Sequence, residues 1–137
     1  MPRTLTFRPR SDQTLDRLER RAKLTRVPRT ALADGYVEEG LAMDSYPGIV
    51  FHGGPSGRRP AMIGGPDVWE VVQVFLAEDR DAQATAEHLH LRPGLVEAAL
   101  NYYADNRHAV DEWIEANRTM MEEAAATFGR RQAVSNG

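Results

Sequence analysis

The 137-residue chain has no cysteine and only one lysine, Lys23. The missing cysteine excludes disulfides, thiol chemistry and cysteine-based zinc sites. No apolar run is long enough to span a membrane, and the N-terminus lacks the apolar core of a signal peptide. A cytoplasmic location with no membrane partner is the expectation. The glycines are never followed by Lys-Ser/Thr at phosphate-loop spacing, and they form no dinucleotide-type strand-loop-helix. They read as turns. His88 and His90 are the one close histidine pair, and they fall on different sides of a helix with no acidic ligand at i+4. Ser45 and Ser56 have no histidine and carboxylate pattern that sequence can tie to them. We therefore expect no enzyme, no metal and no cofactor.

What is present is a charge gradient. Residues 1–30 hold nine Lys/Arg against three Asp/Glu, a net of +6. Residues 45–137 hold eight against thirteen, a net of −5, so the overall −3 hides a basic front on an acidic body. Such asymmetry favours nucleic-acid contact by the front alone, although arginines can also simply solvate a helix.

The stretch Arg3-Thr4-Leu5-Thr6-Phe7-Arg8 alternates strictly. Leu5 and Phe7 share one face; Thr4, Thr6 and Arg8 share the other, the period of a strand with one dry side. Pro9 ends it. A lone six-residue strand needs a partner, either the later hairpin or a second copy of the chain. Ser11 or Asp12 can cap a helix carrying Leu15, Leu18 and Ala22 on a narrow apolar stripe. Thr25 to Pro28 breaks it. Pro28 suits the first turn of a second helix, with Leu32, Ala33, Tyr36 and Val37 inward and Gly40 as its C-terminal cap. Strand, helix and helix in about 41 residues cannot bury enough apolar surface alone.

This order, with the Thr4–Arg8 strand, the Leu15/Leu18/Ala22 stripe and the Val27-Pro28-Arg29-Thr30-Ala31 helix start, resembles a ribbon-helix-helix domain of the CopG and Arc repressor type. The resemblance covers roughly the first third of the chain. It implies a homodimer whose paired strands form a two-stranded ribbon in the major groove of double-stranded operator DNA. It implies base contacts from Thr4, Thr6 and Arg8, and phosphate contacts from Arg3, Arg29 and Thr30. Pro28 departs from the pattern, because it removes a donor where a serine is usual.

Asp44 to Gly48 reads as a linker and Ile49–His52 as a strand. Gly53 to Gly57 reads as a turn and Arg59–Ile63 as the returning strand. Gly64-Gly65-Pro66-Asp67 then starts a helix capped by Gly65 or the Pro66 turn. Val68, Val71, Val72, Phe75 and Leu76 make that helix strongly apolar. A break at Asp79 to Asp81 precedes a short helix over Ala82, Ala86 and Leu89. A turn and another helix over Leu95, Val96, Ala99, Leu100 and Tyr103 follow. Ala86, His90 and Val96 hold helix-turn-helix spacing. Glu97, Asn101 and Asp105 on the second helix repel phosphate, so this element reads as a packing or protein-contact scaffold. Residues 46–104 resemble a domain-of-unknown-function family found with VapB-type antitoxins, through Pro47–Phe51, Arg59–Trp69 and Val96–Tyr103.

A long helix runs from about Asn106 to Phe128. Val110, Trp113, Ile114, Asn117, Met121, Ala124, Ala125 and Phe128 recur at three and four, and a polar tail follows. It either caps the middle domain or binds a partner. The antitoxin resemblance implies a cognate toxin, a PIN-like ribonuclease, engaged by Trp113, Met121, Phe128, Arg130 and Arg131.

The sequence thus predicts a mainly α chain in three parts. Residues 1–44 are a ribbon-helix-helix DNA-binding and dimerisation domain. Residues 45–104 are a hairpin plus helical domain, and 105–137 are a C-terminal helix and tail. The function expected from the resemblance is a type II antitoxin that represses its own operon and neutralises its toxin. Higher-order assembly on DNA is part of that expectation. The alternative is a stand-alone regulator with an effector or oligomerisation domain.

Overall fold

The structure is a computed structural model and describes residues 2–53 and 57–137. It is mainly helical, with one two-stranded antiparallel sheet. The turn residues 54–56, including Ser56, lie outside the described residues. The chain divides into two compact units, Met1–Ala42 and Met43–Gly137.

In the first unit, residues 2–9 have no regular secondary structure within the single chain. α1 spans Asp12–Thr25 and α2 spans Arg29–Ser45. Ser11 caps α1: its hydroxyl accepts the Thr14 N–H at 3.2 Å, replacing a hydrogen bond the helix start cannot supply itself. Arg26 ends α1 in the left-handed region at φ 57°, and the Val27 N–H closes back onto the Ala22 carbonyl at 3.1 Å. Pro28 lies just before α2, where its carbonyl accepts the Leu32 N–H at 2.9 Å. The expected stop at Gly40 is absent. α2 runs five residues further, to Ser45, taking in the first two residues of the stretch read as linker. One glycine costs a helix only about 1 kcal/mol, which the surrounding good helix formers offset.

Among the described residues of this unit two side chains are buried, Ala22 and Leu32. Leu15 and Leu18 are half-buried, and Leu5, Phe7, Leu24, Val37 and Leu41 are exposed.

The second unit begins with β1, Ile49–His52, paired antiparallel to β2, Arg59–Met62, with Ile49 opposite Met62 and His52 opposite Arg59. Residues 3–8 take no part in this sheet. Pro60 is tolerated because a two-stranded sheet has an edge on each strand. Four helices follow: α3 (Val68–Ala77), α4 (Ala82–Leu89), α5 (Pro93–Asp105) and α6 (Arg107–Asn136). Val68, Val71 and Val72 on α3, Thr85 on α4, and Val96 and Ala99 on α5 have no exposed surface at all. Val110 on α6 and Met62 on β2 join them. The α3 spacing of 68, 71 and 72 explains its burial, since those positions share one helical face.

α4 and α5 pack across a three-residue turn, and His90 takes the left-handed conformation there at φ 55°. The Leu91 N–H then reaches the Ala86 carbonyl at 2.9 Å. The histidine sits where glycine is the easier residue. Asn106 separates α5 from α6, and both its backbone and side-chain N–H groups bond the Tyr102 carbonyl. α6 is helical to Asn136, so the stretch read as a polar tail is helix.

An aromatic cluster closes one side of this unit. Tyr46 meets Tyr102 edge-on at 5.2 Å, and Phe51 meets Tyr102 at 6.4 Å. The Tyr46 hydroxyl donates to Asp105 at 2.5 Å, and that bond holds its pKa above the ordinary 10.0. Burial raises Tyr102; burial, then a hydrogen bond to Asp111, raises Tyr103. Folded pKa values above the unfolded value leave stability unchanged below pH 10. Above it the unfolded chain releases its protons first, and stability falls with rising pH. The urea midpoint should therefore fall as the pH rises past about 10, and Tyr102→Phe should flatten that drop.

Candidate nucleic-acid interface and partner surfaces

The residues expected to read bases and phosphates divide into two groups. Arg3, Thr4, Thr6 and Arg8 all lie in the exposed 2–8 segment. Leu5 and Phe7 alternate with them and are themselves 82% and 60% exposed. A dry face is therefore present in sequence but has nothing covering it within one chain.

Arg29 and Thr30 stand at the start of α2. The Leu32 N–H is bonded to Pro28, so the N–H groups of Arg29, Thr30 and Ala31 precede the first intrahelical bond. Partial positive charge accumulates at such an end. The Arg29 guanidinium, however, turns back to Glu19 at 2.7 Å. Both groups are about half exposed, so the pair is worth little and yields readily to a stronger anion. Beside it, an open groove of about 760 Å³ is flanked by Arg20, Lys23, Arg26 and Arg29, with Asp16 and Glu19 on its walls. Six of the nine basic side chains in residues 1–30 thus stand on α1, the α1–α2 turn and the start of α2, and Arg3, Arg8 and Arg10 precede α1. A second groove of about 530 Å³ has an apolar floor of Leu18, Leu24 and Tyr36.

No protein family, curated protein or solved structure matches the chain. The roles of these residues are therefore argued from their chemistry and placement.

The second unit holds a polar centre that the sequence reading missed. Asp67, only 9% exposed, receives three side chains on one carboxylate. His52 Nε2 lies 3.0 Å from Oδ1, the Trp69 indole N–H donates to Oδ2 at 3.1 Å, and Arg59 Nε lies 3.1 Å from Oδ2. The Glu70 carboxylate accepts the Asp67 N–H at 2.8 Å, the returning half of a capping box. Asp67, rather than Gly65 or Pro66, is thus the N-cap of α3. The signal was legible: Asp67-Val68-Trp69-Glu70 has the Asp-x-x-Glu spacing ahead of an apolar run.

Arg59 links this centre to α6, its guanidinium lying 5.7 Å from the centre of the Trp113 ring. Trp113 is accordingly half-buried against its own chain. Met121, Phe128, Arg130 and Arg131 are all exposed. Among the described residues, no helix is long and apolar enough to cross a membrane. The acidic α5 face of Glu97, Asn101 and Asp105 is also exposed. Asp105 is engaged by Tyr46.

The Asp67 centre is structural in character: one buried carboxylate fixes two strands and two helices. Removing its charge strands Arg59, whose Nε is fully buried without a well-aligned hydrogen bond. Asp67→Asn should cost about 1–3 kcal/mol in urea unfolding, with the tryptophan fluorescence transition moving to lower denaturant.

Proposed function

We propose that the chain is a dimeric DNA-binding regulator of the antitoxin kind, whose 3–8 segments pair across two copies into a ribbon. The observation that supports this reading best is the unfinished core of the first unit. Two buried side chains cannot hold some 42 residues folded against chain entropy of about 1–2 kcal/mol per residue. Exposed Leu5, Phe7, Leu24 and Leu41 supply the missing apolar surface if a second copy covers them. On that pairing the alternate residues Thr4, Thr6 and Arg8 all point outward together. Arg8 would donate two hydrogen bonds to a guanine, and the threonines would meet base edges or a thymine methyl. Arg3, Arg29 and Thr30 would hold phosphates, with the α2 N–H groups assisting and Arg29 leaving Glu19.

The acidic second unit is repelled by phosphate, which supports a protein-facing role. In the antitoxin reading it holds a cognate toxin, a PIN-like ribonuclease, whose acidic metal site Arg130 or Arg131 would enter. Cytoplasmic autorepression would follow from the ribbon binding its own upstream DNA.

The test is binding to the upstream region over a salt series. Wild type should bind as a dimer with affinity falling as salt rises. Arg8→Ala should lose about 1–3 kcal/mol of discrimination between the upstream site and unrelated DNA. Equal weak binding by both proteins would overturn the base-reading role. For the partner half, Arg130→Ala with Arg131→Ala should weaken inhibition of the neighbouring ribonuclease; unchanged inhibition would remove those residues from the site.

A further inference from the structure

The groove beside the start of α2 is lined by the cations Arg20, Lys23, Arg26 and Arg29 and the carboxylates Asp16 and Glu19. Residues 16, 19, 20 and 23 stand three and four apart on α1, so one face of that helix forms the wall. Among the described residues, the side chains of Arg20, Lys23 and Arg26 have no hydrogen bond or ion pair. Arg29 is different. Its Nη1 lies 2.7 Å from Glu19 Oε1, across the α1–α2 turn and ten residues on in sequence. Lys23 stands one turn along α1 from Glu19, at the spacing of a helical ion pair. Glu19 pairs with Arg29 instead.

Carboxylate and phosphate oxygens accept from a guanidinium in the same way, two at a time at best. Glu19 thus fills the place on Arg29 that a backbone phosphate would take. Both side chains are about half exposed, so the pair is screened and opens at small cost. It cannot lock Arg29 away, but each phosphate contact made through Arg29 must displace it. The displaced carboxylate then regains a counter-cation from solution. One cation released from DNA is offset by one taken up by the protein. Net ion release, which sets the salt dependence of binding, is lowered accordingly.

We propose that Glu19 is an autoinhibitory residue, an internal anion that competes with the DNA backbone for Arg29. It sets both the strength and the salt dependence of phosphate binding. The inference rests on the reading of the first unit as a DNA-binding surface, and adds to that reading a residue that restrains it. Glu19 acts alike on all sequences, because phosphate contacts position the protein and carry no base information.

The test measures binding of the full-length protein to its own upstream duplex and to an unrelated duplex over a salt series. Wild type is compared with Glu19→Gln, Arg29→Gln, the double variant and Asp16→Asn. All three positions are exposed, so no substitution disturbs a core. At low salt Glu19→Gln should bind both duplexes about two- to fivefold tighter, the factor an exposed ion pair is worth. Its slope of log affinity against log salt should steepen by up to about 0.9. Discrimination between the duplexes should not change. Arg29→Gln should weaken binding to both, and Glu19→Gln added to it should gain no more than Asp16→Asn gains on wild type. Asp16→Asn reports the effect of removing a carboxylate that does not hold Arg29. If wild type binds and Glu19→Gln gains no more than Asp16→Asn, the competition is overturned and DNA reading stands. A gain that persists in full without Arg29 has the same meaning. No binding by any of these proteins overturns the DNA-binding reading and this inference together.

Discussion

The carboxylate of Asp67 is the contact on which the second unit depends. Most of that unit is held by apolar packing, which is strong but has no direction. Asp67 supplies direction. It faces β1 through His52, β2 through Arg59 and α3 through Trp69, and Arg59 passes the constraint to Trp113 on α6. A buried carboxylate is costly to desolvate unless such partners surround it. The same partners make the hairpin sit in one place against α3, with the Met62 N–H on the Pro66 carbonyl at 2.8 Å completing the join.

Among its described residues the first unit has no buried charged side chain. It is well capped at Ser11 and Arg26, so its helices are locally specified. Its tertiary structure is not, because its apolar residues outnumber the surfaces one chain offers to cover them. Local order without a closed core is the condition under which a second copy becomes part of the fold rather than an addition to it. The contrast between the units matches their charges. The basic unit is the one short of core, and the acidic unit holds most of the buried apolar side chains.

Sequence periodicity was informative wherever burial is one-sided. The β1 and β2 segments, the Val68/Val71/Val72 face, the break at Asp79–Asp81 and the His90 turn all stand where the pattern placed them. Helix ends were read less well, for identifiable reasons. Gly40 and Gly129 were each overruled by their helical neighbours, and the Asp67 cap was masked by the Gly-Gly-Pro before it. The Asp67 centre joins residues 52, 59, 67, 69 and 113, a convergence that no spacing rule reveals. The alternation in 3–8 states which side is apolar but not what, if anything, pairs with it: within the chain the segment is exposed and forms no strand.

One consequence of the unfinished core concerns amount rather than shape. When two half-cores complete each other, folding of the unit is a bimolecular event, and its extent depends on concentration. At low occupancy, halving the chain present lowers the number of completed units about fourfold. The thinness of the core, two buried side chains in α1 and α2, would then act as a gauge. The N-terminal surface would assemble when copies are plentiful and dissolve steeply as they are cleared, with no ligand needed to report the change.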